Sequence, residues 1–431
     1  PIKGFSKLSK AAKLEWLVNN NFEDADAARS VLTTYWHEDE ALQKRHDEFI
    51  ENTMSNYYMP YGVAPNFKIN GKLYTIPMAI EESSVVAAAA KSAAFWMARG
   101  GFKTEVLGTE KIGHVHFMYT GEASALKEDF SSLEQELRRA TAELTANMEA
   151  RGGGITSIKF IDATDRLEAY YQLEVTFETC DSMGANFINS NLEEMAKCLE
   201  NFVASHDRLD VNSLEVVMRI LSNYTPRCIV RASVSCPVEE LASEGVSAAE
   251  FARKFERAIA IANAEPYRAT THNKGIMNGI DGVIIATGND FRAVEAACHT
   301  HASRSGSYKS LTGCNVEDGV FTFWIEIPLS LGVVGGLTKL HPLVVKSLEM
   351  LGNPDAEELM GIVAVSGLAQ NFAALRALVT TGIQKGHMKM HLMNILTQLE
   401  ATPEEKIHIA NYFKDKVPHH REVVNYFCEL R

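Results

Sequence analysis

The 431-residue sequence has no excess of positive charge, no paired-cysteine motif and no long apolar run, and each absence closes off a class of function. Its 42 Lys and Arg stand against 55 Asp and Glu, a formal charge of −13, so no general basic surface exists to hold a polyphosphate backbone and no nucleic-acid partner is expected. The seven cysteines, at 180, 198, 228, 236, 298, 314 and 428, contain no C-x-x-C pair and are odd in number, which fits thiols in a reducing compartment better than a disulfide framework. The longest uncharged stretch, Leu359 to Leu375, carries Ser366, Gln370 and Asn371 and falls short of the roughly 20 apolar residues that span a bilayer. Pro1-Ile-Lys-Gly-Phe5 lacks the apolar core of a secretory signal. The expectation is a soluble, cytoplasmic protein with no membrane partner.

What remains is ordinary globular composition, 46% hydrophobic and 23% charged, with mass for two or three domains of about 150 residues. The first hundred residues read as mainly helical near 7–18, 24–35 and 38–55, followed by a hairpin over Phe67–Ile76 that turns at Asn70-Gly71 and ends at Pro77. An Ala-rich helix covers Ser83–Ala98. Between Ile112 and Leu221 the pattern is clearer. Val115, Phe117 and Tyr119 alternate as in a half-buried strand, and Phe130, Leu133, Leu137, Leu144 and Met148 form a helical stripe. Strands at Ile155–Ile161 and around Leu173–Phe177, a helix over Asn186–Ala204 and an apolar run at Leu214–Leu221 complete the order β-α-β-β-α-β, that of a ferredoxin-like unit. Beyond it the signals are mixed: strands at Arg227–Cys236, Val283–Ala286 and Val320–Ile327, helix starts at Ser247 and Asp355, and a helical last fifty residues.

Four polar constellations stand out. Thr179-Cys-Asp181-Ser-Met183-Gly184-Ala185-Asn186 lies between a strand and a helix, where free amides can hold a phosphate, although it is not the G-x-G-x-x-G of a Rossmann turn; on the pattern alone a capped turn is the plainer reading. The glycine-punctuated segment Pro266–Gly279 carries Arg268 and Lys274, and Ala286-Thr-Gly-Asn-Asp290 follows, so cations and a carboxylate flank an apolar run; active site and solvated loop are both open. Glu81-Glu82-Ser83-Ser84 heads the Ala-rich helix, where dipole stabilisation and capping are the plain reading. His387 and His391 have the spacing of a zinc pair, but neither the Glu of H-E-x-x-H nor a third ligand accompanies them, so no metal is expected.

Taken together, several segments resemble one family, the soluble class II 3-hydroxy-3-methylglutaryl-CoA reductases of bacteria and archaea. They are Pro60-Tyr-Gly-Val-Ala with Phe67-Lys-Ile-Asn-Gly71, Glu81-Glu82, Asp181–Asn186, Pro266–Ile280, Ala286–Asp290, Gly335-Gly, Gly367-Leu-Ala-Gln-Asn371 and Gly386-His-Met388, in family order over nearly the whole chain. The resemblance implies an α+β fold: a large mixed helical and sheet domain (1–110 and 223–380), interrupted by a small ferredoxin-like NAD(P)-binding domain (111–222), with a helical C-terminal flap (381–431). It implies reduction of HMG-CoA to mevalonate and CoA by two hydride transfers, within isoprenoid metabolism, in a homodimer with the active site at the interface or a hexamer built of such dimers.

By the same resemblance, Lys274 steadies the carbonyl oxygen, Glu82 donates a proton to the aldehyde oxygen, Asp290 couples to both, and His387 protonates the departing thiolate. Arg268 grips the substrate carboxylate, with Ser84, Asn278 and Gln370 in the same pocket. Asp181, Met183, Gly184, Ala185 and Asn186 form the cofactor loop, with Asn223 nearby. NADH-specific relatives carry an acid near the end of the helix before Gly152, where this chain has Thr145 and Asn147, so NADPH is favoured over NADH; Arg151 points the same way and Glu149 the other. Ser83 replaces a proline often found after the Glu pair, and Ser6 an arginine that contacts CoA phosphate in a relative. Two other classes fit the same side chains: a CoA-ester transferase or hydrolase that uses no hydride, and a catalytically inactive acyl-CoA or nucleotide sensor.

Overall fold

The computed structural model describes residues 1–242, 245–380, 392–414 and 416–431. Three helices open the chain, α1 (Lys10–Asn21), α2 (Ala25–Thr34) and α3 (Glu40–Asp47), and the side chains of Ser9, Asp24 and Asp39 cap them by accepting first-turn amides. The third stops short of the predicted residue 55. The hairpin of β1 (Tyr61–Ile69) and β2 (Lys72–Ala79) turns at Asn70-Gly71, both at positive φ, as the dipeptide predicts. Its strands are longer than expected, and β2 runs through Pro77, which pairs with Val63. A two-stranded ribbon has a free outer edge on each strand, where a residue without an amide costs no ladder bond.

β3 (Lys103–Val106) belongs to the main sheet with β8 (Ile229–Pro237), β9 (Thr312–Glu317) and β10 (Val320–Pro328), in the order β3-β8-β10-β9. Around this sheet lie the Ala-rich helix α4 (Val85–Met97), then α8 (Ala248–Ala264), α9 (Pro266–Ala286), α10 (Phe291–Ala302), α11 (Pro342–Met350) and α12 (Ala356–Val379). Trp96, Phe255, Phe321, Phe323 and Phe372 fill the common core. By length and composition α12 could cross a membrane, but 67% of its most apolar stretch is buried inside the protein, so its all-round apolarity is that of a central core helix.

α9 corrects the sequence reading. The predicted polar segment over 266–279 and the predicted strand Val283–Ala286 are one 21-residue helix. Glu265 caps it by accepting the Arg268 amide, and Pro266 takes the first-turn position where a missing amide is harmless. Of the glycines that suggested a loop, Gly279 serves packing instead. A Cβ on Gly279 would lie 2.5 Å from the Ser366 carbonyl oxygen, so the helix can lie against α12 only without a side chain there.

A second core belongs to the predicted β-α-β-β-α-β segment. β4 (Lys111–Tyr119), β5 (Gly154–Asp162), β6 (Tyr170–Glu178) and β7 (Leu214–Leu221) pair antiparallel in the order β5-β6-β4-β7. After the short α5 (Ser124–Glu128), α6 (Phe130–Glu149) and α7 (Ala185–Ser205) bring Leu133, Leu137, Leu192 and Leu199 onto Val115, Phe117 and Leu173. A third cluster, including Leu396, Ile409, Phe413, Val423 and Phe427, joins the terminal helices Pro403–Tyr412 and His420–Leu430.

Candidate active site

Glu82 stands where β2 ends and α4 begins, and Lys274 stands on α9, 192 residues later. The fold brings them together: the Lys274 ammonium donates to Glu82 Oε2, and Asn278 Nδ2, one turn further along α9, donates to the same oxygen at 3.2 Å. The pair keeps solvent access, with side-chain exposures of 60% for Lys274 and 38% for Glu82, so it is a reachable charge pair rather than a buried structural one. Ser84 does not cap α4, contrary to the plain reading of that segment. It sits at φ 74° with no capping bond from its side chain, a conformation unfavourable for a residue with a Cβ and typical of functional loops.

Asp290 caps α10, accepting the amides of Arg292 (3.0 Å) and Ala293 (3.2 Å), while the Arg292 side chain donates from Nε (3.0 Å) and Nη2 (3.1 Å). Burial alone would raise its carboxyl, but the Arg292 guanidinium and these amides outweigh burial and hold it below the usual carboxylate range. In this arrangement Asp290 is bonded to Arg292 and not to Lys274 or Glu82. Arg268 lies six residues before Lys274, about a third of a revolution round the helix, so the two cations point to adjoining faces. The Arg268 guanidinium is half-buried and has no carboxylate partner among the described residues, and burial weakens its hold on the proton. Gln370 of α12 sets its Cβ against Gly279, and its Oε1 is buried with no hydrogen-bond partner among the described residues. His387 lies outside the described residues.

Beneath Lys274 is a buried polar network that the sequence did not flag. His272 Nε2 meets the hydroxyls of Thr312 (2.7 Å) and Ser310 (2.9 Å), Thr312 donates to Asn371 Oδ1 (3.0 Å), and Asn273 receives the Leu311 amide (3.0 Å). Burial, with the Arg268 charge nearby, lowers His272 to about 3, so it is a neutral ring that fixes α9 against the β9 side of the core. Asp281, one turn beyond Asn278, shows the opposite shift. Burial, then a hydrogen bond and charge from Glu295, then the charge of Glu81 push its carboxyl up to about 8, and its Oδ1 is sealed without a partner.

The predicted cofactor loop sits at the start of α7. Gly184 takes φ 86°, and a Cβ there would lie 2.5 Å from Thr179 Cγ2. No side chain caps α7, so its first amides are left to other acceptors, a cradle that fits the phosphates of a dinucleotide. Asp181 turns away from it: Oδ1 accepts the Ala356 amide of α12 at 3.0 Å, and its carbonyl accepts the Val333 amide at 2.9 Å, which ties the loop to the large core. Met183 and Asn223 line one small cleft with Lys111, Ile188, Ala293 and Val294, so the loop opens toward the helix that Asp290 caps. Ala185 and Asn186 are the first residues of α7. Thr145 is buried in the face of α6 that packs on the sheet, and Asn147 is exposed; the group from this region that meets the loop is the Arg151 carbonyl, which accepts from Cys180 Sγ at 3.4 Å.

Comparison with known proteins decides what this arrangement belongs to. The family model for hydroxymethylglutaryl-coenzyme A reductase matches residues 13–392. The chain belongs to that reductase family. It is 38% identical over 405 residues to the 3-hydroxy-3-methylglutaryl-coenzyme A reductase of Archaeoglobus fulgidus, covering 94% of this chain and 88% of the relative. It is 36% identical over 391 residues to the probable reductase of Borreliella burgdorferi, covering 88% and 85%. A solved 3-hydroxy-3-methylglutaryl-coenzyme A reductase of Streptococcus pneumoniae superposes with a TM-score of 0.73 at 33% identity, over 100% of this chain and 99% of that one. The class II enzyme of the same organism, described as bound to NADPH in open conformations, gives 0.71 at 33% identity over 88% and 99%.

Proposed function

We propose that this reductase converts HMG-CoA to mevalonate and CoA, with NADPH favoured over NADH, and that Glu82, Lys274, Asp290 and His387 carry the chemistry. The observation that supports it best is the contact of Lys274 and Asn278 with Glu82, made between segments far apart in the chain. Bound NADPH supplies the hydrides, one for each of two reductions. Lys274 places a fixed positive charge where the carbonyl oxygen gains electrons, a stabilisation that needs no solvent reorganisation. Glu82, protonated at that stage, gives its proton to the aldehyde oxygen, and the hydrogen bond from Asn278 orients the carboxyl. Asp290 is assigned to act on both of these groups when substrate is bound. His387 protonates the thiolate as CoA leaves. Arg268, which has no carboxylate partner among the described residues, offers a planar fork to the substrate carboxylate, and Ser84, whose side chain makes no capping bond, and Gln370 complete the pocket. The loop Asp181–Asn186, which Asp181 anchors to the large core, and Asn223 hold the cofactor, and the chain has Thr145 and Asn147 where an acid would repel a 2′-phosphate.

For the division into 1–110 with 223–380, 111–222 and 381–431, the separateness of three hydrophobic clusters is the support. A cytoplasmic homodimer, alone or as a hexamer of dimers, with the active site at the interface, is the assembly we assign. Tyr267, next to Arg268 and 86% exposed, is the kind of aromatic such an interface covers. Incubating the protein with HMG-CoA and each cofactor tests the reading by nicotinamide absorbance. Two cofactors oxidised per mevalonate, with the higher kcat/KM for NADPH, is the expected outcome. Folded protein that binds the CoA ester and oxidises neither cofactor would point to the transferase or sensor class.

A further inference from the structure

Lys111 opens β4, and its side chain is only 4% exposed. Buried lysines are rare unless paired, yet among the described residues no carboxylate or hydrogen-bond acceptor holds this ammonium. Its position follows from strand parity: residues 111, 113, 115, 117 and 119 share the face covered by α7, where Gly113 abuts Leu192 and Ile188. The side chain therefore lines the cleft beside Met183 and Ile188, at the uncapped end of α7. Burial, then the Glu178 charge, raise the Cys180 thiol of the same loop, while the Arg151 and Lys111 charges act on it in the opposite sense. The nearby acid Glu178 is already occupied by the Thr109 hydroxyl and, at 2.8 Å, the Cys180 amide. An ammonium and the positive end of a helix thus converge at this cleft, and no carboxylate among the described residues pairs directly with the ammonium. An anion there would relieve both.

We propose that Lys111 is a phosphate-binding residue for the dinucleotide cofactor, acting together with the open amides of α7. This deepens the reductase reading and rests on it. The ligand chemistry is a phosphate oxygen, supplied by either the pyrophosphate or the adenosine 2′-phosphate. The test is a fluorescence titration of NADPH and NADH against wild type, Lys111→Met and Lys111→Gln, with inorganic pyrophosphate as a competing probe and thermal unfolding of each unliganded protein. Loss of the charge is expected to weaken NADPH binding about tenfold or more, by removal of a charge-assisted bond. Equal weakening of NADH, with loss of pyrophosphate competition, identifies the pyrophosphate; weakening of NADPH alone identifies the 2′-phosphate. Lys111→Met should also raise Tm, because a buried unpaired charge is replaced by an apolar chain of similar length. If the variants bind NADPH as tightly as wild type, Lys111 does not hold phosphate and the reductase reading stands. If wild type itself binds no nicotinamide nucleotide, both fall together. Should one variant fail to fold, the other, and the competition between pyrophosphate and NADPH on wild type, still decide.

Discussion

A lysine and a glutamate at one oxygen make the sharpest predictions at the scale of single residues. Lys274→Ala should reduce kcat for HMG-CoA reduction by about 10³-fold, the order lost when a preorganised charge on a developing oxyanion is removed. Arg268→Lys should raise KM for HMG-CoA roughly tenfold while leaving kcat nearly unchanged, since an ammonium keeps the charge but not the two-pronged geometry. Asp281 makes a prediction about pH. Its carboxyl is raised from 3.8 to about 8 in the folded protein, so folding favours its protonated form. That contribution to stability is complete below about pH 4 and is lost as pH rises through 8. Asp281→Asn should therefore flatten the fall in Tm between those limits and make the protein more stable than wild type at pH 8. An unchanged Tm profile in the variant would show that Asp281 does not hold a proton in the fold. Glu82, Lys274 and Asp290 were each visible in the sequence, but whether they met was not, because spacing along the chain carries no information about 192 residues of intervening fold. Lys111 was missed although its signal was present: it is in phase with Val115, Phe117 and Tyr119, the inward set of its strand.

α9 is the element on which the site depends, since it presents Lys274, Asn278 and Asp281 along one face and packs Gly279 on α12. Gly279→Ala should destabilise the protein by about 1–3 kcal/mol, because the nearest atoms to the new methyl include the Ser366 backbone carbonyl, which cannot rotate away. Denaturant unfolding measures this, and an unchanged midpoint would show that α9 and α12 can separate without cost. The sequence disguised this helix. Glycine and polar residues at 266–279 follow loop statistics, and the physical reason for Gly279, close approach to another helix, is a tertiary fact. The β4–β7 segment was legible in strand and helix order because a half-buried sheet imposes strict alternation and its helices carry one apolar stripe each. Pro77 shows the limit of a local rule: it forbids a central strand, not the edge of a two-stranded ribbon.

For the whole molecule, the small sheet carries the proposed cofactor loop and the large core carries Lys274, with Asp181 bonded across to α12 and the shared cleft connecting the two. The C-terminal segment is assigned one role, proton delivery to the departing thiolate by His387. His387→Ala should therefore lose HMG-CoA reduction yet keep reduction of free mevaldehyde, which has no thiolate; equal loss on both substrates would remove that role. The most direct test of the reductase assignment is the yield of mevalonate and oxidised NADPH from HMG-CoA with wild type and Lys274→Ala side by side, both shown folded by their unfolding transitions. Two NADPH oxidised per mevalonate by wild type and essentially none by the variant is the predicted result. Mevalonate formed at similar rates by both would contradict the role given to Lys274, and none from either would contradict the reductase itself.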